Sequence, residues 1–434
     1  MKEALEKGAY EVIETLHKNG FEGYLVGGCV RDQLLNRPVK DYDIATSARP
    51  EQVERMFART IPTGIQHGTV TVVIQGQPYE VTTFRKEDAY ENYRRPAEVE
   101  YIDSLYEDLR RRDFTMNAMA LDRERKLIDP FDGESDMKRG ILRCVGNADE
   151  RLQEDALRML RCIRFASEYA LEVEAATWDA LCRLAPLLQH IAMERVRMEL
   201  ERMLSGSSPN RAIDLLAASG ILRYSKIPLL LASLGSLKEP ADLSKLKGPL
   251  RRWAYVYLRL GASADQTEEE LRSLTFSKQQ IDEVRHIVGA AVYVGEGLSQ
   301  HPSEPIEKVA AMVWKLAAIR HGKPAMEALH DILSMNLQVL LALGGSDESA
   351  AYCMRSGMQW LEEMPVDKVA SLQLSGGELI AAIGQPAGPW VAQTLQHLVK
   401  QAALGQVAND KSALLDEAAQ YAANNKESDN RGHT

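Results

Sequence analysis

Two aspartates one residue apart, Asp41 and Asp43, lie in KDYDIAT, where the apolar neighbours suit a β-strand. Residues i and i+2 of a strand share a face, so the two carboxylates project together. Like charges held that close need a cation between them, and hard oxygen ligands select Mg²⁺, which completes its octahedron with water and substrate phosphates. Upstream, YLVGGCVRDQLL reads as a strand ending in Gly27 and Gly28, followed by a helix from about Cys29. Paired glycines at a strand-to-helix turn let backbone N–H groups approach an anion without Cβ hindrance, and the helix dipole adds to the attraction. Gly27 and Gly28 thus form a phosphate cradle, with Arg31 in the first helical turn beside it. Each feature alone has a plain alternative: a simple turn, an Arg31 to Asp32 ion pair, a chance D-x-D among 62 acidic residues. Their order within one short stretch points instead to metal-assisted chemistry at a phosphate.

These side chains need an α/β frame, and the first 147 residues supply one. Short β-type runs at 23–26, 42–45, 69–74 and 79–84 alternate with helical stretches and Gly or Pro punctuation. Beyond residue 147 the pattern becomes helical, as in EDALRMLRCIRFASEYAL, TWDALCRLAPLLQHI and MERVRMELERML, with apolar residues at i, i+3, i+4 and i+7. Residues 85–109 read as one long polar loop, 239–249 as a connector, 344–348 as a break, and the stretch after Gln420 as a frayed tail. The 434 residues make two to four domains at roughly 100–200 each. A composition of 45% hydrophobic and 26% charged residues excludes collagenous and wholly disordered classes. No window approaches the ~20 apolar residues of a membrane span, and the N-terminus lacks the apolar core of a secretion signal, so no membrane partner and a cytoplasmic location are expected. Five scattered cysteines without a C-x-x-C pair predict free buried thiols. The net charge of -10 argues against indiscriminate nucleic-acid binding.

The GG turn followed by D-x-D resembles the nucleotidyltransferase superfamily with a polymerase-β-like head. Further segments narrow the resemblance to the bacterial class II tRNA nucleotidyltransferases, the CCA-adding enzymes: RRRDFTMNAMALD at 110–122, LIDPFDGESDMKRGILRCVG at 127–146, EDALRMLRCIRF at 154–165, MERVRMELERML at 193–204, and IGQPAGPWVAQTL near the C-terminus. The resemblance implies an α+β chain: a catalytic head (1–147, mixed sheet with helices), then all-α neck (148–206), body (207–343) and tail (344–434). It also implies template-independent addition of CCA to the 3′ end of tRNA from CTP and ATP, by two-metal in-line attack of the 3′-hydroxyl on the α-phosphate with release of pyrophosphate, with Mg²⁺ on Asp41 and Asp43. An enzyme that adds only the final A, or a poly(A) polymerase, shares the same motif chemistry. Intact Asp41, Asp43 and Arg112 speak against a catalytically dead RNA-binding scaffold. Monomer and homodimer both stay open.

In that role Arg112 offers a guanidinium fork to the triphosphate, while Asp113 and Asn117 can accept from and donate to a ribose hydroxyl. The alternative for Asp113 is a helix N-cap. Asp155, Arg158, Arg161 and Arg164 recur every three residues, so a single helix would carry them on one slowly drifting stripe. A carboxylate accepting from an exocyclic amino group beside a guanidinium donating to a ring nitrogen suits cytosine and adenine. Uracil and guanine present the opposite pattern, so Asp155 and Arg158 would reject UTP and GTP. By resemblance, Arg161 and Arg164 complete the nucleotide pocket. Glu80, in YEVTTF, is a candidate third carboxylate for activating the nucleophile, or a strand acid facing solvent. The loop at 85–109 resembles the element associated with adding the terminal A. Basic runs such as KLKGPLRRW at 245–253 are candidate tRNA contacts.

Overall fold

The computed structural model describes residues 2–91, 95–237, 241–300 and 304–431. The chain forms two compact units, Met1–Gly235 and Ser236–Thr434. In the first, helix α1 (Lys2–Lys18) buries Ala9, Val12, Ile13 and Leu16, the i, i+3, i+4, i+7 stripe of an amphipathic helix, and packs beside strand β1 (Gly23–Val26). After β1 come α2 (Gly28–Leu34), β2 (Asp43–Thr46), α3 (Pro50–Met56), β3 (Thr60–Gly64), β4 (Thr69–Ile74) and β5 (Gln77–Thr83). Then follow β6 (Arg85–Glu91), β7 (Arg95–Tyr101), α4 (Leu105–Arg110), β8 (Ala120–Leu121) and β9 (Leu127–Ile128). One sheet runs β3-β4-β5-β2-β1-β8-β9. Its β2 and β5 pair in parallel and the other neighbours antiparallel, so the head sheet is mixed as expected.

Three sequence expectations shift. The second strand starts at Asp43, so Asp41 lies in the lead-in and not on the strand. The expected loop at 85–109 contains an antiparallel hairpin, β6 with β7, followed by α4. The tail past Gln420 continues as helix to Arg431.

A short α5 (Gly133–Lys138) and the parallel pair β10 (Ile141–Leu142) and β11 (Glu172–Val173) join the sheet region to α6 (Ala148–Glu154), α7 (Leu157–Glu168), α8 (Ala175–Leu184), α9 (Met193–Ser205) and α10 (Pro209–Ser219). Helix α7 packs on α9 and α10 and buries Met159, Leu160, Cys162, Ile163 and Ala166 completely. It ends with the Leu171 N–H donating to the Ala166 carbonyl (3.0 Å), a closure that places Ala170 at φ 54. Glycine adopts that left-handed conformation without a Cβ penalty, and alanine does not. Ala170→Gly is therefore expected to raise thermal stability by about 0.5–1 kcal/mol, because relief of the strain exceeds the added chain entropy. A lower melting temperature for the variant would contradict this.

The second unit is helical: α11 (Pro249–Arg259), α12 (Ala264–Ser273), α13 (Lys278–Ser299), α14 (Ile306–His321), α15 (Lys323–Met335), α16 (Gln338–Leu341), α17 (Asp347–Glu362), α18 (Gly376–Ile383), α19 (Pro389–Ala403) and α20 (Lys411–Arg431). Capping boxes begin several of them, for example Ser263 with Gln266 and Ser375 with Glu378. Trp253 and Trp314 are fully buried, and a Cβ at Gly357 would come within 2.7 Å of the Trp314 ring, which lets α14 and α17 approach closely. Among the described residues, no helix is long and apolar enough to cross a membrane. Cys29, Cys144, Cys162 and Cys353 are buried free thiols, but Cys182 is exposed, against expectation.

Candidate active site

Strand β1 is followed by Gly27, the N-cap of α2, whose φ of 73 and ψ of -126 fall where side chains are strained. A Cβ there would also sit 2.8 Å from Arg112 Nη1. The glycine therefore serves two purposes: it makes the turn into α2 and lets a guanidinium lie against bare backbone.

On the adjacent strand Asp43 pairs in register with Glu80 of β5. Burial first, then the charges of Asp41 and Glu80, push the Asp43 carboxyl up to about 6, with Arg112 opposing. Asp41 and Glu80 are exposed. A carboxylate crowded in this way is short of positive charge, and its oxygen donors suit a hard divalent cation. Among the described residues, no group of three or more His, Cys, Asp or Glu side chains has the geometry to hold a metal, so water and substrate oxygens must complete any coordination shell.

An open cleft of about 530 Å³ adjoins Gly27, Gly28 and Asp43. Its walls carry eight arginines (Arg31, Arg85, Arg111, Arg112, Arg158, Arg161, Arg164 and Arg195) against three aspartates, Asp43, Asp113 and Asp155. Guanidinium groups gathered in this number offer a polyanion many donors at once. Arg112 is set by Asp108, a carboxylate only 1% exposed that also accepts from Arg111 (2.9 Å) and from Arg112 Nη2 (3.2 Å). Burial would raise the Asp108 carboxyl, but the two guanidinium groups outweigh it and hold it below its ordinary range. Arg112 Nε is buried and makes no hydrogen bond within the protein.

Asp113 is fixed by Arg161 (Nη2 to Oδ2, 2.6 Å), by the Asn117 amide (3.0 Å) and by the Phe114 N–H (2.9 Å). Burial would raise its carboxyl, but Arg161, Asn117 and Arg158 drive it far below the usual range, so it stays ionised. Asn117 Oδ1 in turn accepts from Arg31 Nη1 at 2.6 Å. The sequence proposal thus brings Arg31, Asp113, Asn117 and Arg161 together, but as one continuous hydrogen-bonded chain in place of separate ligand contacts.

The expected single helix bearing Asp155, Arg158, Arg161 and Arg164 is broken. Asp155, at φ -136 and ψ 106, terminates α6, and its Oδ1 accepts from the Leu157 N–H (3.0 Å) at the start of α7. Its Oδ2 pairs with Arg195 Nη2 of α9 at 2.9 Å. Asp155 and Arg158 still line the same cleft, because the break turns the carboxylate toward it. The three α7 arginines also do not form an unpaired stripe. Arg158 bonds Glu154 and the carbonyl oxygens of Arg151 and Arg111, Arg161 bonds Asp113, and Arg164 bonds Glu199 (2.6 Å) and Glu168 (3.2 Å). Phe165 completes the wall, with the Arg164 guanidinium 3.9 Å from its ring centre.

Sequence reasoning missed Asp108, Arg195, Glu199 and Phe165. Asp108 stands three and four residues before Arg111 and Arg112, across the end of α4, a spacing that could have found it. Arg195 and Glu199 lie inside the quoted segment at 193–204, but only the fold shows what they meet.

Family profiles match in order along the chain: the poly A polymerase head domain at residues 23–143, the RNA and SrmB binding site of polymerase A at 170–231, and tRNA nucleotidyltransferase domain 2 at 344–418. Curated CCA-adding enzymes of Geobacillus stearothermophilus and Lactiplantibacillus plantarum are each 37% identical to it, with 94% of this chain and 95% of theirs aligned. The crystal structure of the Bacillus stearothermophilus CCA-adding enzyme in complex with CTP superposes with a TM-score of 0.78 at 33% identity, covering 97% of this chain and 98% of that one. A Thermotoga maritima CCA-adding enzyme complexed with tRNA shares the fold, with a TM-score of 0.62 at 20% identity.

Proposed function

The chain belongs to the CCA-adding enzymes, the tRNA nucleotidyltransferases, and on that premise we propose how its cleft adds CCA to the 3′ end of tRNA. The observation that carries the reading is the meeting, in one arginine-lined cleft, of the Gly27–Gly28 turn, the crowded Asp43 carboxylate and the Asp155 and Arg158 pair. CTP and ATP enter with the triphosphate toward Gly28, Arg31 and Arg112 and the ribose toward Asp113 and Asn117. Asp155 accepts from the exocyclic amino group while Arg158 donates to the ring nitrogen, a pattern that cytosine and adenine share and uracil and guanine reverse.

Asp41 and Asp43 would hold one Mg²⁺, which would lower the pKa of the tRNA 3′-hydroxyl, and a second ion carried in with the triphosphate would offset charge on the leaving pyrophosphate. Glu80, beside Asp43 in register, orients that hydroxyl. Arg112, fixed by Asp108, supplies charge to the departing phosphates without reorganising. The hydroxyl attacks the α-phosphate in line, and no covalent enzyme intermediate forms. The neck segment 148–206 reads the base, and the helical segments 207–343 and 344–434 hold tRNA in the cytoplasm. An enzyme that adds A alone, or a poly(A) polymerase, is not favoured by the relatives, which carry the CCA-adding name over nearly their full length.

The deciding experiment is sequencing of 3′ ends after incubation with CTP, ATP and a tRNA transcript lacking CCA. Products ending in CCA support the reading, and addition of A only to transcripts already ending in CC overturns it. Deleting residues 86–98, the greater part of the β6–β7 hairpin, is expected to stop products at CC. Full-length CCA ends from the deletion variant would remove the hairpin from A addition.

A further inference from the structure

Tyr169, the residue that ends α7, belongs to none of the groups placed so far, yet it ties both halves of the cleft together. Its hydroxyl donates to Asp32 Oδ1 at 2.9 Å, and the guanidinium carbons of Arg31 and Arg37 each lie 4.4 Å from its ring centre. Asp32 receives Arg31 through two oxygens, Nε to Oδ1 at 3.0 Å and Nη2 to Oδ2 at 3.2 Å. Arg37 closes the contact from the other side, donating to the Glu168 carbonyl at 3.2 Å. Arg31 is thereby held along its Nε edge, and its remaining Nη1 reaches Asn117 and the cleft. A guanidinium otherwise has four soft torsions, and ordering it on binding costs affinity.

We propose that Tyr169 is a positioning residue for nucleotide binding: through Asp32 it sets Arg31, so that α2, which opens the phosphate cradle, is fixed to α7, which carries Arg158. The proposal deepens the function above and rests on it.

The test compares Tyr169→Phe, which keeps the ring under both guanidinium groups but loses the bond to Asp32, with Tyr169→Leu, which loses both. Melting curves first establish that each variant is folded, and where Tyr169→Leu is not, Tyr169→Phe decides alone. Tyr169→Phe is expected to raise KM for CTP and ATP together by about 3–10-fold, the weight of one charge-assisted hydrogen bond, with kcat within about twofold and CTP to UTP selectivity unchanged. Tyr169→Leu is expected to raise KM further, by about 30-fold. In an Asp32→Ala background Tyr169→Phe should change nothing more, because the bond it removes is already gone. Wild-type KM in the folded variants overturns the proposal, as does an effect that simply adds to that of Asp32→Ala. A wild-type protein that extends no tRNA would instead refute the functional reading. Calorimetric titration of CTP into wild type and Tyr169→Phe then decides the Tyr169 proposal without turnover, equal affinities overturning it.

Discussion

Asp43→Asn is expected to abolish Mg²⁺-dependent incorporation of CMP and AMP, by on the order of 10³-fold or more, and at the same time to make the metal-free protein melt higher. The two effects share one cause. Burial, with Asp41 and Glu80 beside it, raises the Asp43 carboxyl from 3.8 to about 6. The folded chain therefore binds this proton more tightly than the unfolded chain. Its contribution to stability is present at acid pH and is lost as pH rises through about 6. At pH 8 without metal, the ionised group costs about 1–2 kcal/mol after allowance for its partial exposure to solvent. The amide removes that cost, so the variant should melt a few degrees above wild type in EDTA at pH 8, and the gap should close toward pH 4. Equal melting at pH 8 would show that the three carboxylates do not crowd one another, and retained turnover would take Asp43 out of the chemistry.

Asp155→Ala carries the second large effect. One carboxylate oxygen caps α7 and the other meets Arg195, which fixes the plane in which the remaining lone pairs accept an amino group. Removing it should lower kcat/KM for CTP by on the order of 10²-fold or more while affecting UTP far less, since a polar site discriminates mainly by leaving groups unpaired with the wrong base. Asp155→Asn keeps an acceptor for the cap and presents a donor to a base carbonyl, so it should shift the preference toward UTP. Competition among all four nucleotides measures both. An unchanged ratio of CTP to UTP in either variant would move base reading elsewhere in the cleft.

The head was largely readable before any coordinates. The strands at Gly23–Val26 and Thr69–Ile74 appear at their expected limits, because apolar runs bounded by glycine or turn residues carry their own boundaries. The β6–β7 hairpin was missed because RKEDAYE shows no apolar alternation, and the one in RPAEVEY, at Ala97, Val99 and Tyr101, is too short to mark a strand by itself. The break at Asp155 was hidden for a different reason. EDALRML is compatible with unbroken helix at every residue, and what interrupts it is the pairing of Asp155 with Arg195, forty residues on, together with the cap of α7. The end of α20 shows the reverse case. Its helix runs through NNKESDNR to Arg431, past the last regular apolar position, where periodicity alone implied fraying. Residue types of the site were thus legible, but which carboxylate holds which guanidinium was a property of the tertiary fold.

Seven of the cleft arginines pair with a carboxylate in the structure: Arg31 with Asp32, Arg111 and Arg112 with Asp108, Arg158 with Glu154, Arg161 with Asp113, Arg164 with Glu199 and Arg195 with Asp155. Such a cleft is not an ion trap. A lone phosphate or sulfate gains little by competing with an intramolecular carboxylate already in place, whereas a nucleoside triphosphate brings several oxygens at once and engages many guanidiniums together. When pyrophosphate departs, the native pairs absorb the freed positive charge, so the enzyme resets without waiting for counterions from solution. Inorganic phosphate at cellular concentrations should then be a feeble inhibitor, while pyrophosphate, the smallest anion able to bridge several of these pairs, should be the effective one.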